Sequence, residues 1–312
     1  MNRILTFFTK FFAVWVVLFG IVAYGYPKPF VALKGGMDLF FALTMFGIGA
    51  VLNVEDFRNI AKTPGIVLIG CAAQFTIMPL GAFVLARLFH LPPEIAVGLI
   101  LTGSAPGAMA SNVMSYIAEA DTAYSVSLTT ASTLLCPILT PGLTLLLAQS
   151  YLEVPVGRMF LHLLLTVVAP LCLGLALKVG LPRRMKKAEK VFPAISVTFI
   201  IFICSLVIAL NRKYLTMMTG PVLLAAVVLN LYGMLAGYGV GSVFRLGTRR
   251  RRTLCIEIGM QNAGLGTVLA LKHFSERSAI PAAVFVFICI LTASLLVEIW
   301  RWKSEQQKLY SI

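Results

Sequence analysis

The sequence predicts an all-α integral membrane protein of ten membrane-crossing helices, arranged as two five-helix repeats of opposite orientation. Three observations carry this. Of 312 residues, 59% are hydrophobic and only 12% are charged, about half the charged share of a soluble domain. The apolar residues gather into runs of about 20, each long enough to cross a hydrocarbon core. The fourth and ninth runs are both interrupted by polar stretches rich in Gly or Pro, at matching places in the two halves.

In chain order the runs cover residues 11–26, 36–53, 64–88, 94–117, 122–149, 156–178, 190–210, 220–243, 253–272 and 279–300. The first follows Arg3 and Lys10 as a signal peptide would, but no small-x-small cleavage site follows it, so it reads as a span. Pro27-Lys28-Pro29 marks the first turn, and Glu55 through Pro64 the second. Pro92-Pro93 opens the fourth run, and the longest polar linker is Pro182 to Lys190. These linkers leave no room for a separate soluble domain. Residues 1–151 and 152–312 each hold five spans, and an odd number turns the second half over. In each half the third span opens on a Pro/Gly pair, Thr63-Pro64-Gly65 and Thr219-Gly220-Pro221, and then carries one amide, Gln74 or Asn230.

The net charge of +14 does not mark a nucleic-acid binder, because its basic residues sit between hydrophobic segments. Lys and Arg concentrate in the loops on the N-terminal side, Arg249-Arg-Arg-Arg252 above all, which places both termini in the cytoplasm. That run reads as a topology determinant, with anionic lipid as its other natural contact. The six cysteines lie in apolar runs without CxxC spacing and read as packing residues. His90, His162 and His273 fall near span ends and form no evident site, while Asp38 and Glu298 sit where they reach the headgroups.

The polar residues that do stand out lie at the two interruptions. Cys255 to Thr267 carries Glu257, Gln261, Asn262 and three glycines inside an apolar region. An acid at membrane depth costs about 2.5–3.5 kcal/mol on insertion scales, and unwound backbone there is tolerated only where it is buried or lines a cavity. In the fourth span Pro106 breaks the helix, with Ser111 placed to cap a second half-helix from Asn112 to about Ala118. Ser125 and Thr129, four apart, share one helical face. Carboxylate, amide and hydroxyls make an all-oxygen set of the kind hard cations prefer. Sodium is the natural occupant, and a proton on Glu257 is the rival.

Pro106-Gly107, Ala110-Ser-Asn-Val-Met114, Ser125, Thr129 and Glu257-x-Gly-Met-Gln-Asn262, spread over the whole chain, resemble the bile acid:sodium symporter family. The resemblance implies a core of spans three to five and eight to ten, a panel of the other spans, and crossing broken helices 4 and 9. It also implies two sodium ions as coupling ions and no other cofactor. One would meet Ser111, Asn112, Ser125, Thr129 and Glu257; the other Gln74, Glu257, Gln261 and the carbonyls of Ile258 and Met260. Asn262 and Ala263 at the second break would face the substrate. Here the chain departs from its relatives. Met109 stands where many carry a hydroxyl, and Cys289-Ile290 where better-known bacterial members carry a His-Asn pair. Bile acids or pantoate-like acids are therefore not inherited as substrates.

The expectation is a symporter of the bacterial inner membrane, importing a small organic anion with Na+ by alternating access. Lipid surrounds it, and no obligate protein partner or nucleic acid is expected. A proton-coupled carrier using Glu257 and a sodium-responsive sensor without transport are the alternatives. A membrane enzyme would need a nucleophile–base pair or metal cluster beside Glu257, and none is visible.

Overall fold

The computed structural model describes residues 12–182 and 191–310. Arg3, Lys10 and residues 183–190 of the expected polar linker lie outside them. Among the described residues all regular structure is helical. Seven helical runs there are long and apolar enough to cross a membrane, with two shorter apolar helices besides. The chain is a multi-pass helical membrane protein.

Helix α1 (Phe12–Gly25) is followed by a short α2 (Lys28–Ala32), started by the expected proline turn because Pro29 suits a first helical turn. Helix α3 (Met37–Val51) leads to α4 (Val54–Lys62), a nine-residue helix where the sequence reading placed only a turn. The sequence does hold its start signal: the Asp56 carboxylate accepts the Asn53 N–H at 2.7 Å. Lys62 and Arg58 both reach Glu55 and hold its carboxyl below its ordinary value. Helix α5 (Pro64–Leu88) is long and apolar enough to cross. The fourth run is split into α6 (Pro93–Gly103) and α7 (Ala110–Ile117), and α8 (Thr122–Ala148) follows.

In the second half, α9 (Val156–Leu163) and α10 (Ala169–Gly180) are joined by a π-helical turn at Leu164–Val168. Pro170 lies just beyond it. Its ring displaces the carbonyl four residues back, and the widened turn absorbs the clash. Helix α11 runs from Phe192 to Val243, so the expected interruption at Thr219-Gly220-Pro221 does not end a helix. Straight, its 52 residues would extend about 78 Å, far beyond one bilayer. Within it Ala194–Arg212 and Gly220–Val243 are each long and apolar enough to cross, and its contacts fit two passes. Phe192 packs on Gly47, Asn211 donates to the Glu276 carbonyl at 2.9 Å, and Gly241 lies against Arg251. The ninth run is split into α12 (Thr248–Gly259) and α13 (Ala263–His273), and α14 (Ile280–Tyr310) completes the chain.

The bundle thus has a basic end, with Lys62, Lys178 and Arg249–Arg252, and a far end, with Lys34, Asp38, Glu94, Lys272 and Glu276. Two groups of helices pack within it. Helices α1, α3, α9, α10 and the first pass of α11 form one; α3 and α10 touch so closely that a Cβ on Gly49 would strike the Leu171 carbonyl. Helices α5 to α8, the second pass of α11 and α12 to α14 form the other, which holds the polar interior.

The arginine run has a job that its sequence does not disclose. It lies in the first turn of α12, where positive charge opposes the helix dipole. Arg249 and Arg252 donate to the carbonyls of Glu119 and Ala118 at the end of α7, and Arg250 pairs with Asp121 at 3.1 Å. The run ties the outer ends of the two broken helices together.

Candidate functional site

The chain unwinds between α6 and α7, around Pro106, and between α12 and α13, at Met260 to Asn262. The two unwound stretches cross and pair as a short antiparallel bridge. Ala108 N–H donates to the Met260 carbonyl at 3.0 Å, and Asn262 N–H donates to the Pro106 carbonyl at 2.8 Å. Backbone groups freed by breaking two helices thereby satisfy one another, which is what lets them persist without water. Ser111 does not cap α7 as expected. The cap position is Met109, which makes no side-chain cap bond, and the Ser111 hydroxyl turns to the site instead. Asn262 is the true cap of α13, its side-chain oxygen accepting the Leu265 N–H at 3.1 Å.

Glu257 sits one turn before the second break and is 2% exposed. Its carboxylate accepts from Ser111 at 2.5 Å, Ser125 at 2.8 Å and Thr129 at 2.5 Å. The Asn112 oxygen faces the same two α8 hydroxyls, at 2.8 Å from Ser125 and 3.1 Å from Thr129. Six side-chain oxygens therefore meet with only three hydroxyl protons among them. Such a cluster is rich in lone pairs and suits a hard cation. Backbone acceptors stand ready for displaced protons: Ser111 also reaches the Ala108 carbonyl at 2.6 Å, and Thr129 the Ser125 carbonyl at 3.0 Å. Gly107 is required beside this cluster, since a Cβ there would overlap a Glu257 carboxylate oxygen.

The second expected set is gathered as well, in a different bonding state. Gln74 donates to the Gln261 side-chain oxygen at 2.7 Å and to the Ala105 carbonyl at 3.3 Å. These two acceptors fix the orientation of the amide and leave the Gln74 Oε1 buried without a hydrogen-bond partner. Gln261 donates in turn to the Ile258 carbonyl at 3.0 Å, and the Met260 carbonyl is held in the bridge. A buried acceptor with no donor is costly alone and fits a cation.

Of the residues expected to face substrate, Met109 and Asn262 are half-buried at the crossing and Ala263 is buried beside it. Cys289 and Ile290 are buried in the packing of α14, with the Cys289 thiol against the Val286 carbonyl at 3.4 Å. Residues to which the sequence reading gave no site role brace the breaks. The Ser132 hydroxyl accepts the Gly107 N–H at 3.3 Å, and it continues the Ser125, Thr129 face by one further turn, a signal that was available. Asn230 donates to the Gly259 carbonyl at 2.8 Å and accepts from Thr292 at 2.6 Å. Nothing local to Thr292 announces that role.

The sequence model described as the sodium bile acid symporter family matches residues 38–218. The uncharacterized sodium-dependent transporter YocS of Bacillus subtilis is 39% identical over 308 residues, 98% of this chain and 96% of its own. The chain belongs to the sodium bile acid symporter family. A probable chloroplastic sodium/metabolite cotransporter of Arabidopsis thaliana, BASS1, is 34% identical over 298 residues, 95% of this chain and 74% of its own. Sodium/bile acid cotransporter 4 of Mus musculus is 28% identical over 272 residues, 81% of this chain and 62% of its own. Membership makes this protein a sodium-dependent membrane transporter rather than an enzyme, with Na+ as its coupling ion and a transported substrate.

Proposed function

We propose that this transporter imports a small organic anion together with sodium, by alternating access of a site at the crossing of its two broken helices. The observation that carries the reading is the cluster of six oxygens and three hydroxyl protons around Glu257, set against the bridge between Gly107 and Gln261. Two sodium ions bind, one in that cluster and one at Gln74 and Gln261, where the unpartnered Gln74 oxygen supports it. Glu257 serves both. The half-helices α7 and α13 begin at the crossing, and the partial positive charge at each start favours a carboxylate there.

The chain makes ten passes in two inverted halves, with both termini in the cytoplasm of a bacterial inner membrane. The second helix group is the core, and the first group is the panel that moves against it. Relatives named for metabolites and for bile acids support an organic anion as cargo. A thermal-shift screen of small carboxylates and sulfonates, with and without sodium, tests the reading. Synergy between sodium and one class of acid is expected. Stabilisation by acids that tracks pH and ignores sodium would instead make the carrier proton-coupled.

A further inference from the structure

The two helix groups are joined by polar contacts that sit together at the far end. Lys272 on α13 pairs with Asp38 on α3 at 2.7 Å, and the imidazoles of His273 and His162 meet at 2.9 Å between α13 and α9. Lys34 pairs with Glu276 at 2.8 Å, and Asn211 on α11 donates to the Glu276 carbonyl. Asp38 lies 3.3 Å from the other side of His162, so the four residues form one connected cluster across the group boundary. Arg158 on α9 adds its charge nearby, and the Glu94–Arg277 pair lies at the same end within the core group. At the basic end the Arg249, Arg250 and Arg252 contacts join core elements to one another, and Lys178 bonds the Val51 carbonyl within the panel group.

The half-helices differ in the same sense. Helix α13, toward the far end, is buried from Ala263 to Ala270 and packs against α3 and α9. Helix α7, toward the basic end, leaves Val113 58% and Tyr116 75% exposed. A polar seal at one end and an exposed half-helix at the other describe a transporter closed on the far side. Polar side-chain contacts suit a seal that opens, because water can take over each partner when they part, whereas interlocked apolar packing loses its contacts outright.

We infer that Asp38, His162, Lys272 and His273 form the far-side gate of the transport path, braced by Lys34 and Glu276. The inference rests on alternating access. Nothing in it requires Glu257 or the ion ligands, which lie elsewhere on the core.

The test uses the full chain in proteoliposomes, in a Cys172→Ser background because Cys172 is the exposed native thiol. Spin labels on Leu33→Cys and Ser275→Cys report the distance across the gate. The parent should give a single short distance, and Asp38→Asn with His273→Ala and Glu276→Gln should add a longer one. A distribution unchanged by the three substitutions would overturn the gate. In parallel, the Leu33→Cys, Ser275→Cys protein, with all four gate residues intact, is cross-linked by a short bifunctional methanethiosulfonate, whose disulfide attachments are reducible, and sodium-22 flux is measured with the acid found in the thermal screen. Flux should fall at least tenfold and return on reduction, while sodium still raises the melting temperature of the cross-linked protein. Undiminished flux in the cross-linked form would also overturn it. Absence of flux in the uncross-linked protein would count against the transporter reading alone, and the spin-label distances would then judge the gate by themselves.

Discussion

Gln74 and Asn230 do the same work on opposite breaks. The Gln74 amide donates to the Ala105 carbonyl in the first, and the Asn230 amide donates to the Gly259 carbonyl in the second. Each lies on the third span of its half. The pairing supports an inverted repeat built around two crossing breaks, each needing one donor for a carbonyl that helix unwinding leaves free.

The equivalence ends at the ions, and that difference is testable. Asn230→Leu should strand the Gly259 carbonyl and destabilise the protein by about 1–3 kcal/mol, with its response to sodium intact. Differential scanning fluorimetry across a sodium titration reads both quantities. Loss of the sodium response in Asn230→Leu would place a site where only a brace is expected.

Under the proposed function, ion ligation divides by residue. Thr129→Ala should weaken the site at Glu257, and Gln74→Ala the site at Gln261, each leaving part of the sodium-dependent stabilisation. Glu257→Ala should remove both. Isothermal titration with sodium chloride against choline chloride measures the number of sites, and full sodium dependence in Glu257→Ala would sink the central claim.

Gly107→Ala tests how tightly the bridge and the carboxylate are coupled. The added methyl would overlap a Glu257 oxygen, and neither the bridged backbone nor a carboxylate bonded to three hydroxyls can easily yield. Overpacking of this kind costs about 1–3 kcal/mol. Sodium stabilisation should fall with it, whereas Gly65→Ala, with open space around its Cβ, should behave as wild type.

How legible these features were follows from their physics. Pro106 and Glu257 are conspicuous because a proline inside an apolar run and an acid at membrane depth each violate a rule that membrane helices otherwise obey. The Ser125, Thr129 pair was readable from helical periodicity. Other features depend on what folding brings together. His162 and His273 are 111 positions apart, and each reads alone as an ordinary interfacial imidazole. The arginine run reads from sequence as a topology determinant, and that reading masks its bonds to the end of α7. The α4 helix was hidden differently: Glu55 to Lys62 is dense in charge and reads as a turn, although Asn53 and Asp56 hold the capping pattern.

Loop charge and the two ends of the bundle support one topology, with both termini cytoplasmic, and labelling tests it. With membrane-impermeant maleimide, a cysteine at Ser275 should label on intact cells, and cysteines at Thr248 and Ser304 only in inside-out vesicles. Thr248 begins α12 and Ser275 follows α13, so the pair brackets the second broken helix. Labelling of both from one face would mean that the broken segment does not cross, and the inverted repeat would fail with it.

The proposed substrate preference turns on position 109. Met109 precedes α7 at the crossing, half-buried, with its sulfur 3.9 Å from the Asn112 amide nitrogen. A thioether there offers adaptable apolar surface where a hydroxyl would offer a hydrogen bond. The starts of α7 and α13 still favour an anionic group, whatever occupies position 109. The preferred cargo should therefore be a monocarboxylate with an apolar body, and heavily hydroxylated acids should bind weakly. Met109→Thr should move preference toward hydroxylated acids by about 1 kcal/mol, the worth of one neutral hydrogen bond. Competition binding of matched acids that differ only in hydroxyl count, in sodium buffer, compares the two proteins. Identical preference in both would remove position 109 from the site, and tighter binding of an organic cation than of any acid would defeat the anion reading itself.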